Sequence, residues 1–318
     1  MTCHHNQRVG KRLGPALASF LLALAATGCS DTQSSEAPTA TSSETSTPSA
    51  PAPMQIVALT KQGEVVVIDR ETKESRVVAS FPPREDPQVE AGSFRAVDVT
   101  ALPGGRLLVA TCCEPAAGHM YALSEDGHRL KDQDLFAEDA GHDAGARVAS
   151  GELVGLVIRP LSDLNSAAHT LALPPDLTGF LPDNISWAPD EDRIAFTIGG
   201  KLAVVDVSAD SLADATFVDP SDGSHWSGAA YTIEGTVAVE QGGDPLHPSG
   251  PSRLLRVDME SGTSSEVVPT KGRVTDLAVD STGTHLLWVE GGNLRWSVDD
   301  EGATLPGDFI AASWMSAA

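Results

Sequence analysis

Short apolar runs alternate with turns along most of the chain, and the clearest copy lies between Asp183 and Val207. Its apolar runs are residues 185–188, 193–198 and 201–207, and its turns are residues 189–192 and 199–200. β-Branched and aromatic residues bounded by Pro, Gly and Asp predict strands joined by tight turns. A unit of three strands cannot bury its apolar face alone, so the pattern predicts further copies packed beside it.

These copies fill residues 54–318 as six units. Their predicted strands are residues 55–59, 64–69 and 75–80; 94–100, 106–111 and 120–123; 147–149, 153–158 and 169–173; 185–188, 193–198 and 201–207; 226–232, 236–240, 253–259 and 265–268; and 274–279, 285–290, 293–298 and a short edge near Ala303. Each unit spans about 44 residues, the length of a four-stranded propeller blade. The pattern predicts an all-β, six-bladed β-propeller over residues 54–318, and a pair of β-sandwiches is the alternative.

The two ends of this region are incomplete in complementary ways. The first unit has no opening strand before Gln55, whereas residues 308–315 form an opening strand that no unit follows. Pairing the last strand with the first unit would complete that blade and remove the exposed sheet edges that favour aggregation. We therefore expect the C-terminal strand to close the N-terminal blade and with it the ring.

Two turns carry a resemblance to a known family. Ala188-Pro189-Asp190-Glu191 and Asp280-Ser281-Thr282-Gly283 each precede an apolar strand and resemble the Ser-Pro-Asp-Gly turn of TolB-type six-bladed propellers. Neither copy carries the complete motif, and nothing in the chain corresponds to the extra α/β domain of TolB. The resemblance therefore implies the fold and no TolB activity.

Residues 1–28 have the pattern of a signal peptide. Residues 1–12 are polar and basic, and the apolar run 13–27 is too short for a stable membrane span. Leu24-Ala25-Ala26-Thr27-Gly28-Cys29 resembles a bacterial lipobox, with Ala26 in place of the usual Leu. The resemblance implies a lipoprotein that is cleaved before Cys29 and acylated there with chains such as palmitate, which would anchor it to the cell membrane. Ordinary secretion is the alternative.

Residues 29–53 are almost wholly Ser, Thr, Ala, Pro, Glu and Gln, a composition that predicts a disordered tether. The tether would hold the folded part on the extracytoplasmic side of the membrane, where an envelope protein or peptide is the expected partner. The chain has 21 Lys and Arg residues against 44 Asp and Glu residues, a net charge of −23. Because this charge repels phosphate backbones, no nucleic-acid partner is expected.

Three polar residues stand at one offset in the aligned units: Asp98, Asn184 and Asp276 lie seven residues before the turn Gly or its equivalent. The opening strand of a propeller blade lines the central channel, so these side chains would form a partial ring near one mouth, with His225 on the same rim. Asp308, His142 and Asp143 also precede opening strands. Carboxylate and amide oxygens would suit Ca²⁺ or a cationic group. The alternative is that they bond to local backbone and brace the blades.

Cys112 and Cys113 are the only cysteines of the predicted propeller, and in an oxidising compartment they would form a vicinal disulfide. Adjacent Cα atoms lie about 3.80 Å apart, closer than the ~4.4–6.8 Å that disulfides prefer, so the bond would be strained. A rigid kink and a redox-sensitive bond are its two candidate roles. A separate acidic segment contains Asp132, Asp134, Glu138, Asp139, His142 and Asp143. It could hold Ca²⁺, but it lacks the Gly and the closing Glu of an EF-hand loop, which favours a solvated loop.

Catalytic and metal-binding motifs are absent from the sequence: it contains no His-Glu-x-x-His, Gly-x-Ser-x-Gly or Gly-x-x-x-x-Gly-Lys. The sequence therefore favours a membrane-tethered binding scaffold for a protein, peptide or small ligand over an enzyme. The alternative is a metal-dependent hydrolase or lactonase with calcium in the channel. No other cofactor is expected.

Overall fold

Antiparallel strands joined by tight turns make up nearly all of the regular structure. The computed structural model describes residues 55–81, 95–112, 119–130, 137, 139–142, 147–298 and 301–315. The strands of the first half are β1 (Gln55–Thr60), β2 (Glu64–Asp69), β3 (Ser75–Ser80), β4 (Arg95–Ala101), β5 (Leu107–Cys112), β6 (His119–Leu123), β7 (Ala140–His142), β8 (Arg147–Glu152), β9 (Gly155–Pro160) and β10 (His169–Ala172). The strands of the second half are β11 (Asp183–Trp187), β12 (Arg193–Ile198), β13 (Lys201–Asp206), β14 (Thr216–Val218), β15 (Ser224–Thr232), β16 (Gly235–Asp244), β17 (His247–Val257), β18 (Ser264–Val268), β19 (Val274–Val279), β20 (Leu286–Glu290), β21 (Asn293–Val298), β22 (Glu301–Leu305) and β23 (Phe309–Met315).

The strands form six sheets, which are the blades of a β-propeller. From the inner to the outer strand, blades 1 to 6 are β23-β1-β2-β3, β4-β5-β6, β7-β8-β9-β10, β11-β12-β13-β14, β15-β16-β17-β18 and β19-β20-β21-β22. The inner strands of neighbouring blades contact one another, as β19 contacts β23 and β23 contacts β4. The predicted all-β, six-bladed architecture is confirmed.

The hydrophobic core is divided among the junctions between blades. Six clusters of buried apolar side chains are present in the described chain, one at each junction between neighbouring blades. Each sheet is thus covered on both faces, which explains why strands such as β1 and β2 have four consecutive buried residues. A sheet with one face in water would instead alternate apolar and polar residues.

The C-terminal strand closes the ring, as predicted. β23 pairs antiparallel with β1, and this register places Trp314 opposite Ile56. Trp314 is buried, and its indole Nε1 donates a hydrogen bond of 2.9 Å to the carbonyl oxygen of His285 in blade 6. β23 therefore belongs to the sheet of blade 1 and is bonded directly to the blade that precedes it in the chain.

Blade 3 begins earlier than the sequence pattern predicts. Its inner strand is β7, and residues 147–149, predicted to open the unit, belong to the second strand β8. β7 has the sequence Ala-Gly-His, which contains no apolar run. Gly141 is required there because a Cβ atom would lie 2.3 Å from the carbonyl oxygen of Ile185. Close packing against blade 4 therefore selects small residues, and these leave no strand signal in the sequence.

Blade 5 carries a longer hairpin than predicted. β16 and β17 continue beyond the other strands of their sheet as a two-stranded ribbon that ends at Pro245 and Leu246. The ribbon sequence is rich in Gly and Pro, which favours a loop. Gln241 offsets this tendency, since its side-chain amide donates to the carbonyl oxygens of Ser249 at 2.6 Å and Gly250 at 3.1 Å.

The predicted signal peptide, the tether and Cys29 lie outside the described residues, as does Cys113. The lipid anchor and the vicinal disulfide therefore stay predictions. In the part of the chain that the structure describes, we find no helix with the length and apolar character needed to cross a membrane.

Ring closure makes the fold depend on its last strand. Deleting residues 309–318 removes β23, uncovers the edge of β1 and opens the core clusters that contain Ile310 and Trp314. We expect this truncation to aggregate and to lose cooperative thermal unfolding, whereas deletion of residues 316–318 alone should preserve both properties. Size-exclusion chromatography and calorimetry test this. A soluble 309–318 deletion with a single sharp transition would contradict it.

Candidate central acidic cavity

A cavity of about 320 Å³ lies at the centre of the ring. The inner strands of blades 1, 2, 3, 4 and 6 line it. Its acidic lining residues are Asp98, Asp139, Asp183, Glu191, Asp276 and Asp280. No Lys or Arg is among the described lining residues, but Arg147 pairs with Glu191 at 3.7 Å and the ring of His285 hydrogen-bonds to Asp280 at 2.9 Å. The cavity is therefore rich in carboxyl groups in a partly desolvated setting.

The three residues predicted from their shared offset meet in this cavity. Asp98, Asn184 and Asp276 all line it, and each stands near an irregularity in the pairing of its inner strand with the next strand. Asn184 adopts a left-handed backbone conformation with φ of 55°. Such bulges turn side chains away from the regular alternation of a strand, which directs these three toward the axis.

Two of the carboxyl groups also hold neighbouring blades together. Asp276 accepts hydrogen bonds from the backbone N–H of Ala312 in blade 1 at 2.6 Å and of Leu277 at 2.8 Å. Asp139, at the start of blade 3, accepts one from the N–H of Ile185 in blade 4 at 2.8 Å. The bracing role that the sequence left open is thus present at these positions, and the groups face the cavity as well.

Burial shifts the protonation of three of these acids. It raises the pKa of Asp98 to about 7, and the negative charge of Asp276 adds to the shift. It raises the pKa of Asp139 to about 8, with the charge of Asp98 as the next cause. The pKa of Asp276 rises to about 7, again mainly by burial, although the N–H of Ala312 opposes the shift. Asp98 and Asp276 are half-buried, but their exposed parts face the cavity and not bulk water.

The carboxyl groups of Asp98 and Asp139 lie close enough to affect each other's pKa, and the charge of Asp98 raises the pKa of Asp139. The raised pKa values indicate that protonated carboxyl groups are present at this pair near neutral pH. A cationic group entering the cavity would favour their ionised forms.

His225 does not reach the cavity. It is buried beside the Gly199-Gly200 turn, and its Nδ1 hydrogen-bonds to the carbonyl oxygen of Gly243 at 2.9 Å. The expectation that it shares the rim is wrong because β15 contributes nothing to the cavity lining. β11 and β19 contact each other directly, and the intervening blade has Gly228 at the position of Asp98 and Asp276. A Cβ atom on Gly228 would lie 2.8 Å from the side chain of Val239, its partner on β16, so a side chain is excluded at this position.

Asp139 and Asp183 are site residues that the sequence analysis did not place in the channel. Asp139 belongs to the segment expected to be a solvated loop, and it is in fact 7% exposed and faces the cavity. Both residues stand where an inner strand begins. Asp139 directly precedes β7, and Asp183 is the first residue of β11. His142 also lines the cavity, whereas Asp143 lies outside the described residues.

The cavity wall also has an aromatic component. Trp187 and Trp314 line it, and the indole Nε1 of Trp187 donates a hydrogen bond of 3.0 Å to the carbonyl oxygen of Gly141. The guanidinium of Arg147 lies 4.7 Å from the centre of the Trp187 ring. Among the described residues, no three His, Cys, Asp or Glu side chains are arranged to hold one metal ion. Calcium binding therefore stays a prediction from the sequence.

Comparison with known proteins identifies the class of fold. No family model matches the chain, and no curated protein matches it. Solved structures do match. TolB from Acinetobacter baumannii has a TM-score of 0.56 at 15% identity, with 82% of this chain and 66% of that chain covered. A chain of the nidogen/laminin complex has a TM-score of 0.53 at 9% identity, with 81% of this chain and 97% of that chain covered. A protein of unknown function from Bacteroides caccae has a TM-score of 0.51 at 12% identity, with 82% of this chain and 98% of that chain covered.

These similarities establish a TolB-like six-bladed propeller fold. The identities are too low to carry a function across, because one fold serves many unrelated activities. The chain spans about two thirds of the TolB chain from A. baumannii.

The raised pKa values predict a dependence of stability on pH. The folded protein keeps protons on these acids up to about pH 7–8, whereas the unfolded chain releases them near pH 4. The folded state thus binds more protons between these values, and the free energy of unfolding should fall as the pH rises through this window.

Asp139→Asn should reduce that fall. Asn is neutral at every pH, and its side-chain oxygen can still accept the hydrogen bond from Ile185. We expect the melting temperature of the variant to be close to that of the wild type at pH 5 and a few degrees above it at pH 8. In a domain of this size, each kcal/mol of unfolding free energy shifts the melting temperature by about 2–4 °C. Asp206→Asn, an exposed acid outside the cavity, is the matched control. If the melting temperatures of wild type and Asp139→Asn fall equally between pH 5 and pH 8, the raised pKa of Asp139 is contradicted.

Proposed function

We propose that the protein is a membrane-tethered, extracytoplasmic binding scaffold whose central cavity takes the cationic group of a protein, peptide or small ligand. The observation that carries the proposal is the cavity of about 320 Å³, whose described lining residues include six acids and no Lys or Arg. A cavity of this size lies at the lower end of the range for small-ligand sites. It is large enough for a side chain or a small molecule and too small for a folded domain.

The arrangement favours an organic cation. The backbone N–H groups of Ala312 and Leu277 already occupy both oxygens of Asp276, and the N–H of Ile185 occupies one oxygen of Asp139. The remaining acceptor positions suit the few directed N–H donors of an ammonium or guanidinium group.

The lipobox at Cys29 and the Ser/Thr/Pro-rich residues 29–53 support the membrane-tethered location. Two or more acyl chains on one cysteine hold a protein on a membrane stably, whereas a single chain gives marginal binding. The propeller would then present its loops and cavity in the space outside the membrane, on a rigid ring that positions contact residues well.

A minimal ligand tests the cavity. Nα-acetyl-lysine methylamide carries one ammonium group, and its Nε-acetylated form carries none. We expect millimolar concentrations of the first to raise the melting temperature and the second to have no effect, because ligands stabilise the state they bind. The Asp98→Asn/Asp183→Asn double variant should lose the shift, and Asp206→Asn should keep it. Equal shifts with both compounds, or a shift that survives in the double variant, would contradict cation binding in the cavity.

A cysteine substitution tests the proposed membrane location. In a bacterial host that processes lipoproteins, we expect the wild-type protein in the membrane fraction and incorporation of labelled palmitate. Cys29→Ser should abolish the label and release the protein from membranes, while Cys112→Ser should leave both unchanged. Membrane association of Cys29→Ser equal to that of the wild type would rule out the lipid anchor.

A further inference from the structure

Exposed apolar side chains concentrate on one face of the ring. We call this the upper face; it is formed by the turns at residues 153–154, 199–200 and 245–246 and by the segments that lead into the inner strands. Six large hydrophobic residues are exposed in the described chain, and four of them are on this face: Leu153, Val154, Phe180 and Leu246. Asp183 is exposed on the same face and lines the cavity, so the cavity reaches this surface.

Three apolar residues of this face, Phe180, Pro245 and Leu246, cluster at the Gly199-Gly200 turn, and we call them the apolar ridge. Phe180 lies 3.4 Å from the place a Cβ atom of Gly199 would take, and Pro245 lies 3.4 Å from that of Gly200. Leu246 follows at the tip of the ribbon and is 86% exposed, while Phe180 is 49% exposed. Phe180 precedes the cavity-lining Asp183 by three residues, so their Cα atoms lie within about 11 Å of each other.

The ribbon that carries Pro245 and Leu246 is held in place by hydrogen bonds. The imidazole Nδ1 of His225 bonds to the carbonyl oxygen of Gly243 at its base, and Gln241 bonds to Ser249 and Gly250. The hydroxyl of Ser252 donates to Gln241, which fixes that side chain in turn. An apolar tip on a preorganised support loses little conformational entropy when it meets a partner.

The charge around the ridge indicates the chemistry of that partner. The upper-face segments of blades 4 and 5 that surround it are residues 174–183, 199–201, 219–224 and 243–248. They contain Asp176, Asp183, Asp219, Asp222 and Asp244 against Lys201, which is paired with Asp219 at 2.7 Å, and His247, which bonds to Asp244 at 3.3 Å. The adjoining segment that leads into β19 adds Lys271 and Arg273, so acids remain in excess. An apolar feature within an acidic border matches a partner that presents apolar and basic groups together.

We propose that the upper face binds a polypeptide segment that is both basic and apolar, with its apolar side chains on the ridge of Phe180, Pro245 and Leu246 and a Lys or Arg side chain in the cavity. This inference rests on the proposed function and names its ligand as a protein segment. The ridge supplies contact area that a free amine or a single amino acid does not reach, so the two parts of the surface can be separated experimentally.

Synthetic peptides test the inference on the intact propeller. The probe is a twelve-residue peptide that alternates Lys with Leu or Phe; a Lys/Ser peptide and a Glu/Leu peptide of equal length are its controls. Affinities are measured by calorimetry at about 0.15 M salt, where screening weakens unspecific attraction between exposed charges. We expect the Lys/Leu/Phe peptide to bind at least about tenfold more tightly than either control, since each 1.4 kcal/mol corresponds to a factor of ten.

Variants separate the ridge from the cavity. Phe180→Ser/Leu246→Ser should weaken the Lys/Leu/Phe peptide about tenfold or more and leave the melting shift by Nα-acetyl-lysine methylamide unchanged. Ile233→Ser, which removes an exposed apolar residue from a turn at the opposite face, is the matched control and should change neither.

The outcomes are distinct. Equal peptide affinity for wild type and Phe180→Ser/Leu246→Ser, or no preference for the Lys/Leu/Phe peptide, would overturn the inference while the cavity proposal stands. If Nα-acetyl-lysine methylamide does not raise the melting temperature of the wild type, the result counts against the proposed function.

Discussion

The pairing of β23 with β1 is the constraint on which the rest of the molecule depends. Each blade buries both of its faces against its neighbours, and six separate clusters of apolar side chains fill the junctions. Such an arrangement has no central core that would hold an open array together, because each junction stabilises only the two blades that it joins. Closing the circle gives every blade two neighbours and fixes the distances across the axis.

Those fixed distances create the chemistry of the cavity. Asp98, Asp139 and Asp276 come from three different blades, and nothing local in the chain holds them together. Burial and mutual repulsion raise their pKa values, and backbone N–H groups from adjacent blades stabilise Asp139 and Asp276 in place. The same carboxyl groups therefore brace the ring and face the cavity that we propose as a site for a cationic group. A carboxylate that accepts a hydrogen bond from a neighbouring backbone N–H can still bind a ligand, because it has more than two acceptor positions.

The sequence predicts the parts of this structure that repeat. Asp98, Asn184 and Asp276 were found through their common offset, because three units carry recognisable turns after an apolar strand. The sequence does not predict β7, because close packing against Ile185 requires Gly141, and Gly and Ala are weak strand formers. Without that strand, the pattern gives no reason to place Asp139 at the axis. His225 lies away from the cavity because no residue of β15 lines it, and the position equivalent to Asp98 and Asp276 is Gly228 in this strand. The ribbon was missed because the side chain of Gln241 stabilises a hairpin that Gly and Pro disfavour. In each case contacts distant in sequence override the local pattern.

Carboxyl NMR is the most direct test that these acids converge at the centre of a closed ring. In protein labelled with ¹³C at the aspartate carboxyl carbons, Asn variants assign the signals of Asp98, Asp139 and Asp276. These three are expected to titrate near pH 7 to 8, far above the exposed aspartates, and Asp276→Asn is expected to lower the midpoint of Asp98 because it removes the charge that raises it. Titration of all three near pH 4, as for solvated side chains, would contradict it.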